Sequence, residues 1–175
     1  KRMEDSAVEL EHSVDKISKL KRLNQPERLK SAIRIINEGK EKLSLANADV
    51  SEYIKYIKKY SSVLEKEGLN QYIAVEKILN ASLTKKRTAM ADYFDRMVVW
   101  LEYSVKHFNQ LESGNQVNRR NYDHYLTEVN RSQKKYNFAN EKYHLFVNSF
   151  LKKHPDLKKN FKSEYKTMKE EMGWL

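Results

Sequence analysis

Two Glu-x-x-His motifs, Glu9–His12 and Glu141–His144, come nearer to a reactive site than any other residues in this sequence. Residues three positions apart lie on one face of a helix, so each motif would place a carboxylate beside an imidazole. Carboxylates and imidazoles both bind divalent metal ions. The first question is therefore whether the chain forms a metal-dependent helical bundle.

The apolar pattern around these motifs argues against a metal site. A carboxylate-bridged di-iron site needs two such motifs, together with glutamates from two other helices, all pointing into the core. Glu9 and His12 fall on outer positions relative to the apolar residues of their own segment. Glu141 also points outward, and His144 lies beside the apolar stripe rather than in it. We therefore expect no bound metal ion and no cofactor.

Other arrangements that support catalysis are missing from the sequence. It has no Cys, no Ser within a Gly-flanked strand-to-helix turn, and no Gly-rich loop that would bind phosphate. We therefore predict that the chain is not an enzyme. A metal-dependent four-helix-bundle enzyme remains as the second of two alternatives.

The charge of the chain is its most informative feature for function. The net charge is +10, and residues 131–175 contribute eleven Lys or Arg against five Asp or Glu. Clustered lysines gain binding energy from polyanions by displacing counterions, whereas a solvated helical face is the plainer explanation. Nucleic acid is the less suitable polyanion, because nine Arg against 25 Lys offer few bidentate contacts. The lysines expected to contact lipid headgroups or a cell-wall polymer are Lys152, Lys153, Lys158, Lys159, Lys162 and Lys166.

Two polar faces are candidates for contact with a partner protein. Asn130, Gln133, Asn137 and Asn140 recur at three- and four-residue steps beside an apolar stripe. They would offer amide groups to a partner or form hydrogen bonds between helices of the bundle itself. The residues 53–60 include three tyrosines, a side chain that is common both at interfaces and at the margins of a core.

The composition and the few helix breakers predict the fold. Four Gly and two Pro are too few for a sandwich or barrel, and 33% charged residues are typical of long helices. Pro26 suits the first residue of a helix, and Gly68 and Gly114 suit left-handed residues that end one. The predicted helical segments are 3–23, 26–67, 70–112, 116–153 and 156–172.

Apolar residues step by three and four along the long segments, which predicts helices that bury one face. Short connections make consecutive helices antiparallel. We therefore predict a single all-α domain over residues 1–175, an elongated antiparallel bundle of three long helices with shorter N- and C-terminal helices. One reservation is a gap in the apolar stripe at Asn47, followed by a capping-box pattern at 49–52, which favours a kink or break there.

These observations favour a non-enzymatic interaction or structural domain that binds another macromolecule through an elongated surface and a basic C-terminal end. The first alternative is a coiled-coil module that binds a membrane surface or another polyanion. No apolar run reaches the ~18 residues of a membrane span. The absence of Cys favours a place outside the cytoplasm, and we expect association with a bacterial envelope. A sequence that begins at Lys1 is compatible with a preceding signal peptide, lipid anchor or domain.

Overall fold

A computed structural model describes residues 2–18, 25–68 and 70–155 of the chain. All regular elements in these residues are helices: α1 (Arg2–Ser18), α2 (Pro26–Lys66), α3 (Asn70–Lys106), α4 (Phe108–Glu112) and α5 (Gln116–Lys153). The predicted all-α fold is confirmed. The predicted helix 156–172 lies outside the described residues, and so do residues 19–23 of the first predicted segment.

The helix ends form where the sequence chemistry predicts them. Pro26 is the first residue of α2, where its missing N–H leaves no helical hydrogen bond unmade. Gly68 (φ 73°) follows the end of α2, and Gly114 (φ 77°) follows the end of α4. The side chain of Asn115 then caps α5 by accepting a hydrogen bond from the Asn118 N–H at 3.1 Å.

Consecutive long helices run antiparallel, as predicted. Glu9 binds the ammonium of Lys42 at 2.6 Å, which fixes α1 against α2. Lys40 binds Asp95 at 2.6 Å, which joins α2 to α3. The rings of Tyr93 and Tyr136 stack with centroids 6.1 Å apart, between α3 and α5. At 1.5 Å per residue α2 is ~62 Å long, so the bundle is elongated.

The helix α3 is central, since α2 and α5 both pack along it while α1 packs on α2. Leu10 and Ile17 of α1 and Val129 of α5 belong to one buried apolar cluster together with residues of α2 and α3. Where α1 is present, four helices surround the core.

The buried apolar side chains are concentrated in that four-helix half. Most of them lie at or before Val50 of α2 and at the matching heights of the other helices. Ile73 is the exception among the described residues. The full set is Leu10, Ile17, Leu29, Ala32, Ile36, Leu43, Ala46, Val50, Ile73, Met90, Phe94, Met97, Leu101 and Val129.

The helix α2 runs without a break from Pro26 to Lys66, so the kink or break that the sequence left open at Asn47 does not occur. At this height Arg87 of α3 donates hydrogen bonds to the Ala46 carbonyl (2.7 Å) and to Asn47 Oδ1 (3.3 Å). One detail differs from the prediction. The predicted helix 70–112 is interrupted at His107, whose φ of −113° and ψ of 21° separate α3 from α4.

Candidate functional site: a tyrosine strip on α2

One strip of α2 forms the seat of α1. The backbone of Gly39 lies so close to α1 that an added Cβ would be 3.0 Å from Ile17 Cδ1 and 3.6 Å from Ser13 Cβ. One turn further along, Lys42 binds Glu9 of α1. Ala46 and Asp49 continue the strip and are buried. These four residues, Gly39, Lys42, Ala46 and Asp49, are called the α1 seat.

The face of α2 that forms the α1 seat continues along α2 beyond the start of α1. In steps of seven residues, Gly39 and Ala46 lead to Tyr53 and Tyr60. Lys42 and Asp49 lead in the same steps to Tyr56 and Val63. Residues seven apart lie on nearly the same face of a helix. The four residues Tyr53, Tyr56, Tyr60 and Val63, called the tyrosine strip, therefore continue the line of the α1 seat.

The tyrosine strip is exposed where the α1 seat is covered. The exposed fractions are 42% for Tyr53, 59% for Tyr56, 36% for Tyr60 and 53% for Val63. The rings of Tyr56 and Tyr60 contact each other with centroids 4.5 Å apart. The strip is thus a preformed aromatic surface that no described element covers.

The reason for the exposure lies in the register of α1. Glu9 lies beside Lys42, and Ser13 beside Gly39, so Arg2 at the start of α1 lies at the height of Asp49. The helix α2 continues for 17 residues beyond Asp49, to Lys66. At 1.5 Å per residue this is ~25 Å of helix beyond the first residue of α1.

A polar layer marks the boundary between the two halves. Arg87 is 8% exposed, and burial lowers the pKa of its guanidinium, while Tyr143 and Asp49 oppose that shift. Beside it, the ammonium of Lys86 lies 4.8 Å from the centroid of the Tyr143 ring. Burial also lowers the pKa of Lys86, and the carboxylate of Glu11 partly offsets this effect. Cations, an aromatic ring and carboxylates thus replace apolar packing at this height.

The tyrosine strip has a carboxylate at its margin. Burial raises the pKa of Tyr53, and the nearby carboxylate of Glu76 on α3 raises it further. Burial likewise raises the pKa of Glu76, although a hydrogen bond from Asn80 opposes the shift. Within the described residues, Oε1 of Glu76 is buried without a hydrogen-bond partner. Proton binding at Glu76 is therefore coupled to the environment of the strip.

Exposed lysines occur on α2 beside the strip and at the end of α5. On α2 itself, Lys55 and Lys59 are exposed, and the Lys59 ammonium is 5.4 Å from the Tyr60 ring centroid. Lys152 and Lys153 are exposed at the end of α5. Ala46 contacts Arg87 and Tyr143 contacts Lys86, so both mark the height of the polar layer. Tyr56 lies ten residues after Ala46, and Lys153 lies ten residues after Tyr143. Tyr56 and Lys153 are therefore each ~15 Å along the bundle from that layer.

The predicted polyanion site is therefore described only in part. The structure brings Lys152 and Lys153 to the height of the tyrosine strip, at the same end of the bundle as the α2 lysines. The remaining predicted members, Lys158, Lys159, Lys162 and Lys166, lie outside the described residues.

The predicted amide face lies elsewhere on the molecule. Asn130, Gln133 and Asn137 are exposed on α5, and Asn140 is half-buried. Val129, just before Asn130, and Ser132, just before Gln133, are buried on α5, which packs along α3. The amides thus form one exposed edge of α5, and their role in binding a partner stays a prediction.

The Glu-x-x-His motifs do not converge. Glu9 and His12 are exposed on α1, and Glu9 binds Lys42. Glu141 and His144 are exposed on α5. No group of three or more metal-ligating side chains forms within residues 2–18, 25–68 and 70–155.

Among the helices that the structure describes, none combines the length and apolar character that crossing a bilayer requires.

A shallow cleft lies at the opposite end of the bundle. Trp100, Phe108 and Tyr122 line it together with Arg119 and Glu112. These side chains provide an aromatic surface and one charge of each sign, and Ser104 also lines the cleft.

The sequence pattern revealed the tyrosines but not their role. In the sequence, Tyr53, Tyr56 and Tyr60 are equally compatible with an interface and with the margin of a core. Val63 is not part of the regular apolar stripe. The signal that distinguishes them is the spacing of seven from Gly39 and Ala46. That spacing is informative only once the structure shows α1 on the two small residues.

No protein-family model matches the chain, and searches of curated proteins and of solved structures found no similar protein.

Proposed function

We propose that this protein is a non-enzymatic interaction domain that binds a macromolecular partner through the tyrosine strip and the lysines beside it. The observation that carries the proposal is the continuation of the α1 seat: the line of α2 that contacts α1 at Gly39 and Lys42, and that stays buried at Ala46 and Asp49, recurs, exposed and aromatic, at Tyr53–Val63. Association with a bacterial envelope, expected from the composition, belongs to this proposal, and cell fractionation with antibody detection would test it.

Tyrosine suits such a surface because its ring supplies contact area while its hydroxyl keeps the unbound surface hydrated. The ring contact between Tyr56 and Tyr60 orders both side chains before binding, which lowers the entropy lost on association. Exposed apolar patches bordered by charged residues are typical of protein interaction sites.

A photo-crosslinking experiment tests the proposal in the cell that makes the protein. Benzoylphenylalanine replaces Tyr56 in one variant and Phe138 in another. Phe138 is a suitable control because it is 61% exposed and has a lysine ammonium 5.3 Å from its ring, as Tyr60 does. We expect a discrete adduct at position 56 that disappears when Tyr60→Ser is added. Equal adducts at both positions, or none at position 56, would contradict the proposal.

A second candidate function is attachment to an anionic surface, favoured by the exposed Lys152 and Lys153 near the α2 lysines. The variant with Lys152, Lys153, Lys158, Lys159 and Lys162 all changed to Gln should then sediment less with anionic vesicles. Electrostatic attachment should also weaken between low and physiological salt, because the Debye length shortens to about 8 Å. Equal sedimentation of both folded proteins would remove this candidate.

A further inference from the structure

We propose that the tyrosine strip binds one amphipathic α-helix of a partner protein, antiparallel to α2 and in line with α1, and that this helix has small residues on its inner face and acidic residues along its edges. This inference rests on the proposed function and names the kind of partner.

The spacing of the strip favours a helix over other occupants. Tyr53 and Tyr60 are seven residues apart, as are Tyr56 and Val63, and this repeat matches the one along which α1 already packs. A helix that contacts another along its length meets it at positions seven apart. The uncovered length after Asp49, ~25 Å, accommodates a helix of about 17 residues.

The size of the side chains indicates what the partner helix presents. In the α1 seat, Gly39 and Ala46 are small and buried, and Ile17 of α1 fills the space beside Gly39. In the strip, the equivalent positions are Tyr53 and Tyr60. Facing layers fill space when large residues on one helix oppose small residues on the other. A helix that keeps the line of α1 therefore needs Ala, Ser or Gly opposite these rings.

The charge of this half of the bundle indicates the edges of the partner helix. The described residues 51–68, 70–86 and 146–155 contain nine lysines and four glutamates. Lys55 and Lys59 are exposed on α2 beside the strip, and Lys152 and Lys153 are exposed at the end of α5, at the height of the strip. Complementary charge at the rim of an interface guides association and excludes wrong partners. Acidic residues on both edges of the bound helix satisfy this arrangement.

The same charges disfavour the chain's own C-terminal segment as the occupant. Residues 156–175 contain five Lys against four Asp or Glu, a net charge of +1. Docking this segment on the strip would add positive charge beside the lysines already there, whereas an acidic helix would neutralise them. An acidic helix from another protein is the better complement.

Peptide binding to the full-length protein tests the inference. The probe is a fluorescent 17-residue helical peptide with Ala on its inner face and Glu on both edges. One control peptide has Lys in place of each Glu, a second has Phe on the inner face, and a third has a central Pro. We expect the acidic peptide to bind at least tenfold more tightly than each control in fluorescence anisotropy, and its affinity to fall as salt rises.

Variants of the protein test whether the peptide binds at the tyrosine strip. Tyr56→Ser and Tyr60→Ser should each weaken binding by about tenfold, a typical hot-spot loss. Phe138→Ser, the matched exposed aromatic with a neighbouring lysine, should leave binding unchanged. Circular dichroism confirms that all three remain folded, since each change removes an exposed side chain.

Disulfide crosslinking tests the direction of the bound helix. The chain has no Cys, so a single introduced thiol is unambiguous. An N-terminal Cys on the peptide should crosslink to the Val63→Cys protein, and a C-terminal Cys to the Tyr53→Cys protein. The reverse pairing would overturn the antiparallel arrangement.

Other outcomes identify a different occupant and overturn the inference. Tighter binding of the lysine-edged peptide would exclude an acidic partner. An intramolecular disulfide in the Tyr56→Cys, Met168→Cys protein would identify the chain's own C-terminal segment, and a concentration-dependent dimer of Val63→Cys would identify a second copy. Binding to anionic vesicles that Tyr56→Ser abolishes, without any peptide binding, would refute the helix while leaving the proposed interaction surface intact.

Discussion

The two halves of α2 have the same apolar repeat and different neighbours. Ile36 and Ile57 are the same residue type, 21 residues apart and therefore at equivalent positions of the repeat, yet Ile36 is fully buried and Ile57 is half-buried. The first half packs beneath α1 and against α3, and the second extends beyond the start of α1. An apolar repeat therefore defines the apolar face of a helix, whereas the burial of that face depends on which neighbouring helix reaches it.

The matched pair Ile36→Ala and Ile57→Ala gives the largest expected effect. Truncation of Ile36 leaves a cavity in a closed core and should cost about 4 kcal/mol of unfolding free energy. Truncation of Ile57, which is partly hydrated already, should cost about 1 kcal/mol. Urea unfolding monitored by circular dichroism measures both, and equal losses would mean that the two halves are packed alike.

Gly39→Leu places a large side chain where α2 closely approaches α1. Even a Cβ at this position would be 3.0 Å from Ile17 Cδ1 and 3.4 Å from Phe94 Cε2, so a leucine side chain has no space. We expect a loss of about 3 kcal/mol by overpacking, together with faster hydrogen exchange in α1. Leu45→Ala, an exposed change on the same helix, serves as the control. Unchanged exchange in α1 would show that the seat tolerates a larger residue.

Arg87→Met tests the polar layer between the halves. The substitution removes the hydrogen bonds to Ala46 and Asn47 while roughly keeping the side-chain volume. A loss of about 2 kcal/mol is expected, because hydrogen bonds from a charged donor are lost in a buried place. Arg96→Met on the same helix loses only an exposed contact with Asp92 and should cost less than about 0.5 kcal/mol. If both variants unfold at the same urea concentration, the layer has no structural role.

Glu76→Gln gives the smallest effect and has a defined pH dependence. Burial raises the pKa of Glu76, so the folded protein holds this proton more tightly than the unfolded chain does. Above the raised pKa the charged carboxylate therefore lowers stability, and a neutral Gln should raise the melting temperature by ~1–2 °C at pH 7.

That gain should disappear as the pH falls below the raised pKa, where Glu76 is itself neutral. Melting curves at pH 7 and at about pH 4 measure it, with the exposed Glu65→Gln as control. A gain that is the same at both pH values would show that the charge of Glu76 is not its cause.

Hydrophobic spacing predicted the helices well and the contacts only in part. In α3, the spacing of apolar residues matches a buried face that includes Met90, Phe94 and Leu101. It did not mark Gly39 or Ala46 as core, because small residues contribute little to an apolar pattern. The burial of Gly39 follows from the close approach of Ile17 of α1 and Phe94 of α3, and Ala46 lies where Arg87 of α3 reaches α2. No single segment of sequence encodes these contacts.

The apparent break at Asn47 illustrates the same limit. A polar residue in the apolar stripe followed by a capping pattern resembles a helix boundary. In the structure α2 is continuous through this point, and Arg87, 40 residues later in the chain, donates hydrogen bonds to Ala46 and Asn47 there. The local sequence left open whether α2 breaks at Asn47, since the polar partner at this position comes from another helix.

Residues close together in the chain specify where the helices start and stop and which face of each is apolar. They are Pro26 at a helix start, Gly68 and Gly114 with positive φ, and apolar side chains repeating every three or four residues. Which part of an apolar face is covered depends instead on contacts between helices. The register of α1 buries the α1 seat and leaves the tyrosine strip exposed, because a helix that begins at the height of Asp49 cannot shield the ~25 Å of α2 beyond it.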